Sequence, residues 1–382
     1  MHHIPGFILQ PISPLLQDYF KLDYTQIGWL TSAYSIAYGA GNLPAGWLGG
    51  RISPRILITV GVAGVAVCGL IAGIAPSYMI LVITLIMMGI LGGGYHPSAA
   101  PLISDATPAG KRAQALGFHQ IGGTAANMAV PLLVAALLTF LSWRSIFIVM
   151  TVPTIMYGIY LYILLKQRKL GESPKLTHVV DSINITNPPG YIRRIIAFVI
   201  MGTVVQVFVY SAMTFIPLVV TDSFFEQPWL GAVVLATGHV AGFLAGPLGG
   251  YLADKFGKIP VMLTVSLAAG PLVWLLGMVS QWWILPIIML VMGACMYVAM
   301  PITESYVISN ISSRHRSTIL GFYYFASRGG VGIVSPIIGN LIDRHSFGMA
   351  FTVTGLSLFV ITLICSFLLW GNKDKSFQSI KQ

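Results

Sequence analysis

The chain has 382 residues, 56% hydrophobic and only 8% charged. A soluble domain carries about 25% charged residues, so this composition excludes an ordinary water-soluble enzyme or binding module and points to a bilayer. The formal net charge of +10 raises nucleic acid as a partner, but the placement of the basic residues argues against it.

Apolar stretches of about 20 residues cross the hydrocarbon core. The sequence offers twelve, at 4–20, 26–50, 54–75, 78–104, 113–140, 144–166, 192–221, 228–253, 259–280, 282–309, 316–342 and 347–370. The first begins almost at Met1 and is punctuated by Pro5, Pro11 and Pro14. Either that helix is short and broken, or its beginning lies upstream of Met1, which is the reading we favour. The one substantial linker is 167–191, polar and basic, with Pro174, Pro188 and Pro189. It separates an amino-terminal half, 1–166, from a carboxyl-terminal half, 192–370, followed by a polar tail, 371–382. The expected class is all-α and integral to the membrane, with twelve transmembrane helices in two pseudo-symmetric six-helix halves.

Of the 21 Lys and Arg residues, Lys21, Arg144 and Arg344 fall on one side of this topology and Arg328 inside a span. All the others, from Arg51 and Arg55 to Lys381, fall on the opposite side. That asymmetry is the positive-inside pattern. It places the linker and both termini in the cytoplasm of a prokaryotic cell, with the protein in the cytoplasmic (inner) membrane. The basic charge is topological, so no nucleic-acid partner is expected.

A constant offset of 204 positions supports the two halves. Arg112, Leu116, Gly117 and Phe118 reappear as Arg316, Leu320, Gly321 and Phe322; Gly46 and Leu48 as Gly250 and Leu252; Pro97 as Pro301; Ser142 and Phe147 as Ser346 and Phe351. Homologous halves in a very hydrophobic chain suit a transporter whose site lies between them. Glycine runs within the spans (Gly89, Gly92, Gly93 and Gly94; Gly122 and Gly123; Gly329, Gly330 and Gly332) suit close helix packing and equally suit surfaces that slide or bend during transport. Cys68, Cys295 and Cys365 lie inside spans without metal or redox spacing. Neither metal nor cofactor is expected.

Between the eighth and ninth spans stands Gly250-Tyr-Leu-Ala-Asp254-Lys255-Phe-Gly257-Lys258. It resembles the signature G-x-L-A-D-R-x-G-R of the major facilitator superfamily. The first-half copy, Gly46-Trp-Leu-Gly-Gly50-Arg51-Ile-Ser-Pro-Arg55, has Gly50 in place of the aspartate. The resemblance implies a cytoplasmic gate from these loops, with Gly46, Arg51, Arg55, Asp105, Arg112, Gly250, Asp254, Lys255, Lys258 and Arg316 as its members and Asp254 as the better lock. Within the superfamily, Tyr95-His96-Pro97 and Gln120-Ile-Gly122-Gly123 are similar to the fosmidomycin-resistance branch, which implies proton-driven export of small molecules. The Gly-Pro typical of antiporters late in the fifth span stands here as Val130-Pro131.

Charges inside a membrane are costly and mark functional sites or partners. The clear cases are Glu304 and Arg328. Arg328 lies twelve residues beyond Arg316, about 18 Å inside at 1.5 Å per residue, near the midplane. The repeat maps Arg328 to Thr124 and Tyr324 to Gln120. Gln120, Thr124 and Asn127 form one polar stripe on the fifth span, so Arg328 and Tyr324 are expected to face the same cavity from the other half. His239, Gln206 and Tyr210 complete the expected substrate path. Glu304, with His96 or His119, is expected to carry the proton, since histidine titrates near neutral pH.

The expected function is secondary active export of a small organic molecule by proton antiport with alternating access, by a monomer whose partners are substrate, protons and lipid. Proton-coupled uptake or uniport of a small organic anion is the alternative, and a transport-dead sensor a distant third. No nucleophile–base pair or metal set suggests an enzyme.

Overall fold

The computed structural model describes residues 2–48, 51–108, 112–171, 191–310 and 313–369; within these, the side chains at 43–48, 96, 97, 100, 101, 104, 105, 112–114, 116, 117, 120, 244, 308, 309 and 313–318 lie outside the description. The described residues form helices joined by short turns, with no strand among them. The helices are α1 (Ile4–Phe7), α2 (Ser13–Phe20), α3 (Tyr24–Leu48), α4 (Pro54–Gly73), α5 (Tyr78–Gly93), α6 (Tyr95–Ala106), α7 (Arg112–Leu138) and α8 (Trp143–Gln167), then α9 (Tyr191–Thr214), α10 (Ile216–Leu218), α11 (Pro228–Val240), α12 (Gly242–Phe256), α13 (Lys258–Leu276), α14 (Leu285–Asn310), α15 (Ser313–Arg344) and α16 (Phe347–Leu369). A π turn, Val219–Ser223, continues α10.

Among the described residues, nine helical segments are long and apolar enough to cross a membrane, from Pro54–Gly73 to Phe347–Leu369. Large apolar side chains stand exposed along them, for example Ile83 on α5, Met156 on α8, Ile333 on α15 and Phe367 on α16. So much exposed apolar surface suits lipid, where only helices and closed barrels satisfy every backbone polar group internally. The start of the chain is broken, with α1 and α2 separated at Ile8–Ile12, between prolines 5 and 14.

Two faces can be defined. The linker face carries Gly171, whose carbonyl accepts from the Arg55 amide at 3.3 Å, and Tyr191, whose hydroxyl donates to the Asn310 carbonyl. The far face carries the starts of α3, α8 and α16 and the end of α15. There the Arg144 guanidinium donates to the Ala75 carbonyl at 2.9 Å and lies 4.3 Å from the Trp143 ring centre.

The 204-residue offset recurs in local contacts. Ser142 caps α8 by accepting from the Ser145 amide at 3.3 Å, and Ser346 caps α16 by accepting from Met349 at 3.2 Å. Such caps satisfy one of the four orphan amides at a helix start. One turn on, Phe147 and Phe351 are both fully buried. A Cβ on Gly73 would meet the Arg144 carbonyl at 3.0 Å; on Gly277 it would meet the Gly348 carbonyl at 2.8 Å. Small residues are required at both crossings. Gln10 donates to the Thr214 hydroxyl at 3.0 Å, across a separation of 204.

The helix pair that places the site is α3 with α15. A Cβ on Gly28 would stand 2.6 Å from the Pro336 Cα, and the Ser32 hydroxyl donates to the Gly332 carbonyl. Further in, Gly39 lies against Phe325 and the Arg328 Cβ. Backbone-to-backbone packing therefore carries Arg328 directly against α3.

Candidate functional site

Arg328 is the middle residue of the 32-residue α15, about 23 Å from either end. It is half-buried, so solvent still reaches it at that depth. The Tyr38 and Tyr210 rings lie 5.7 and 5.9 Å from its guanidinium carbon, a cation–π arrangement. The groups acting on its charge are the phenols of Tyr210, Tyr38, Tyr34 and Tyr297; no carboxylate is among them. A buried cation is normally paired. This one has only phenols.

Tyr297 links the cage to two other candidates. Its hydroxyl receives the Asn127 amide at 3.0 Å and faces His239 Nδ1 at 2.9 Å. With the imidazole proton on Nε2, the phenol donates to His239 Nδ1 while it accepts from Asn127. Asn127 Oδ1 and the Tyr38 hydroxyl are buried without hydrogen-bond partners. Pro301, inside α14, cannot donate to the Tyr297 carbonyl four residues back, and next to that gap Gln206 donates to the Met296 carbonyl at 2.7 Å. Gln206 therefore ties α9 to α14 and does not point at Arg328.

The position of these tyrosines follows from a swap within the repeat. The Tyr38 ring packs on Gly92, and the Tyr38 carbonyl lies against Gly93, where a Cβ would meet them at 3.2 and 2.6 Å. Shifting Tyr38 and Gly93 by 204 gives Gly242 and Tyr297, and a Cβ on Gly242 would meet the Tyr297 ring at 2.9 Å. The contact is kept while the tyrosine changes helix, so phenols approach Arg328 from both α3 and α14.

Glu304 belongs to a second group on α14 and α15. The Tyr324 hydroxyl faces its carboxyl, and Glu304 Oε1 has no partner. Tyr323, 1% exposed, feels the charges of both Glu304 and Arg328. The sequence expectation has Tyr324 facing the same cavity as Arg328; in the structure its hydroxyl lies against the Glu304 carboxyl. A direct Glu304–Arg328 ion pair is not formed. On the other side, Tyr95 stacks on His2 at 4.3 Å and on His119 at 5.8 Å, while Thr124 is half-buried one turn from Asn127.

Of the gate residues, the Lys258 ammonium donates to the Ser305 carbonyl at 3.0 Å, next to Glu304. Arg55 lies 5.6 Å from the Tyr162 ring centre, Lys255 lies 5.4 Å from that of Phe256, and Asp254 is exposed. Arg51 is exposed too, and a Cβ on Gly250 would meet nothing within 4 Å. The side chains of His96, Asp105, Arg112, Gln120 and Arg316, the last turn of α3 from residue 43 to 48 around Gly46, and residue 50 lie outside the described residues.

Sequence reasoning missed a clamp at the far face. The Asp343 carboxylate, at the end of α15, accepts from the Tyr24 amide at 2.9 Å, the Thr25 amide at 2.8 Å and the Thr25 hydroxyl at 2.5 Å. It caps α3 from 318 residues away, where the helix dipole favours an anion. The Tyr24 hydroxyl donates to Asp222 at 2.7 Å. Tyr24 precedes the second span, and burial, then the Asp222 carboxylate, push its phenol well above the usual range.

An all-helical bundle with a half-buried cation at its centre defines a membrane transporter. The chain belongs to the Major Facilitator Superfamily, whose model matches residues 1–330 and 198–381. It is 30% identical over 149 residues to an uncharacterized MFS-type transporter, Rv1250, of Mycobacterium tuberculosis, covering 39% of this chain and 26% of that protein. It is 29% identical over 157 residues to a probable L-galactonate transporter of Escherichia coli K12, covering 41% and 35%. The match thus spans about a quarter and a third of those two relatives. Multidrug resistance protein MdtG of Salmonella schwarzengrund is 23% identical over 342 residues, covering 87% of this chain and 83% of that one. In fold, a POT family transporter solved with 5-aminolevulinic acid is similar at a TM-score of 0.78 and 13% identity, covering 95% and 92%. The family and these relatives are transporters and not enzymes.

Proposed function

We propose that the chain exports a small organic molecule, with Arg328 holding a negative charge on the cargo at the midplane and protons returning in exchange. The observation that carries this reading is a cation at the centre of the bundle with the Tyr38 and Tyr210 rings 5.7 and 5.9 Å from it and no ion pair to a carboxylate among the described residues. The near-full-length likeness to a multidrug resistance protein supports export.

Two six-helix halves joined by the 167–191 linker rock about this centre, so each side gains access in turn. The Gln10–Thr214 bond supports the halves, because equivalent residues meet only on the local two-fold axis that relates them. Charge asymmetry sets the linker face in the cytoplasm, so the far-face clamp joins α3 to α15 at the outer mouth. The His-Pro and Gln-x-Gly-Gly motifs support the fosmidomycin-resistance branch. A cation favours the ionised form of a carboxylate it can reach. Tyr323 feels both charges, so cargo that neutralises Arg328 changes the field at the phenol that also faces the charge of Glu304, which links substrate and proton without contact between them.

The test is counterflow in proteoliposomes with a panel of organic acids, with and without a pH gradient. Accumulation driven by an opposing proton gradient supports antiport. Co-directional movement with protons would replace it with uptake by symport.

A further inference from the structure

Besides the Tyr323 hydroxyl and Ser327 Oγ on α15 itself, two orphaned polar atoms lie on the other helices of this centre. On the α3 side, the Tyr38 hydroxyl is buried without a partner, and its ring lies 5.7 Å from the guanidinium carbon. On the α7 side, Asn127 spends its amide N–H on Tyr297 at 3.0 Å, which leaves Oδ1, an acceptor, buried and unpaired. Each such atom costs about 1–3 kcal/mol when left unmet, and a ligand that meets both gains accordingly. Donors converge at one pole, Arg328 and Tyr38, and suit a carboxylate, which accepts from a guanidinium in a planar fork. The other atom is an acceptor, and Asn127 is joined to the surroundings of Arg328 through the Tyr297 hydroxyl. A plain fatty acid would satisfy the first pole and leave the second unmet; an uncharged polyol would do the reverse.

We propose that the cargo is a small carboxylate bearing its own hydrogen-bond donor, a hydroxy acid or an N-acyl amino acid, with the carboxylate on Arg328 and Tyr38 and the donor on Asn127 Oδ1. This rests on the reading of Arg328 as the cargo's counter-charge and adds the second contact. His239 holds Tyr297, and so acts on the cargo through Asn127 as a positioning residue.

The experiment measures binding to the purified full chain in detergent, by ligand-induced thermal stabilisation. The probes are gluconate, lactate and N-acetylglycine, with hexanoate and propionate as carboxylates lacking the donor and sorbitol as a polyol lacking the charge. At least one donor-bearing acid is expected to bind about tenfold tighter than its plain counterpart, and sorbitol not to bind. Tyr38→Phe should weaken both classes of acid, while Asn127→Leu should erase the preference for the donor-bearing acids; the unfolding transition of each variant without ligand shows that it folds. If wild type binds plain and donor-bearing acids equally, or Asn127→Leu keeps the preference, the proposal is overturned while Arg328 keeps its role. If Arg328→Ala binds every acid as wild type does, the underlying reading fails first. Binding of none of these acids by wild type overturns the assigned class.

Discussion

At the scale of single residues, the centre of the bundle is arranged around Arg328, which the Tyr38 and Tyr210 rings flank. Arg328→Ala should abolish counterflow of any acid the wild type carries, whereas Arg328→Lys keeps the charge but loses the planar fork that grips oxyanions; the lysine variant should retain weak transport with a raised KM. Tyr297→Phe removes the hydroxyl that joins Asn127 to His239. Two buried groups then lose their partner, at about 1–3 kcal/mol, so the unfolding temperature in detergent should fall; an unchanged value would mean that the bonds contribute nothing. Arg328, Asn127 and His239 were legible in the sequence because strongly polar side chains in apolar spans are conspicuous. Tyr34, Tyr38, Tyr297 and Tyr323 were not, since a tyrosine in a membrane helix reads as packing or an interface anchor. One signal was available: the offset pairs Tyr38 with Gly242 and Tyr297 with Gly93, and a tyrosine opposite a glycine in both halves marks one retained contact.

Among the helices, α3 and α15 form the interface on which access depends. Asp343→Asn weakens a cap on two amides and a hydroxyl. A loss of about 1–2 kcal/mol shifts the open-to-closed ratio of the far mouth by about five- to thirtyfold. Spin-label distances across that mouth should lengthen, and an unchanged distribution would remove the clamp from the account. The Tyr24 phenol, held protonated by burial and Asp222, should keep its bond through moderately alkaline pH. Glycines give an internal contrast. Gly28→Ala drives a Cβ into the Pro336 backbone and should cost stability, by about 1–3 kcal/mol, while Gly321→Ala meets nothing within 4 Å and should be silent. The clamp was invisible in the sequence because Asp222 and Asp343 read as ordinary loop charges; only the fold brings the end of α15 to the start of α3. The crossings were partly legible, since the glycine runs of α5 and α15 announce close approach without naming the partner.

For the whole molecule, the repeat was the most legible feature, and it carries into the caps at Ser142 and Ser346 and the crossings at Gly73 and Gly277. The break between α1 and α2 was partly legible through its prolines. Sidedness rests on charge placement, so a cysteine-free variant carrying one cysteine in the 167–191 linker should label from the cytoplasm alone. The central claim is that cargo charge and proton occupy separate sites, Arg328 and Glu304, joined through Tyr323. Its most direct test compares wild type, Glu304→Gln and Arg328→Ala in proteoliposomes, measuring both acid exchange at equal pH and acid movement driven by a pH gradient. The account predicts that Glu304→Gln retains exchange and loses gradient-driven movement, and that Arg328→Ala loses both. Normal exchange by Arg328→Ala, or intact gradient-driven movement by Glu304→Gln, would contradict it.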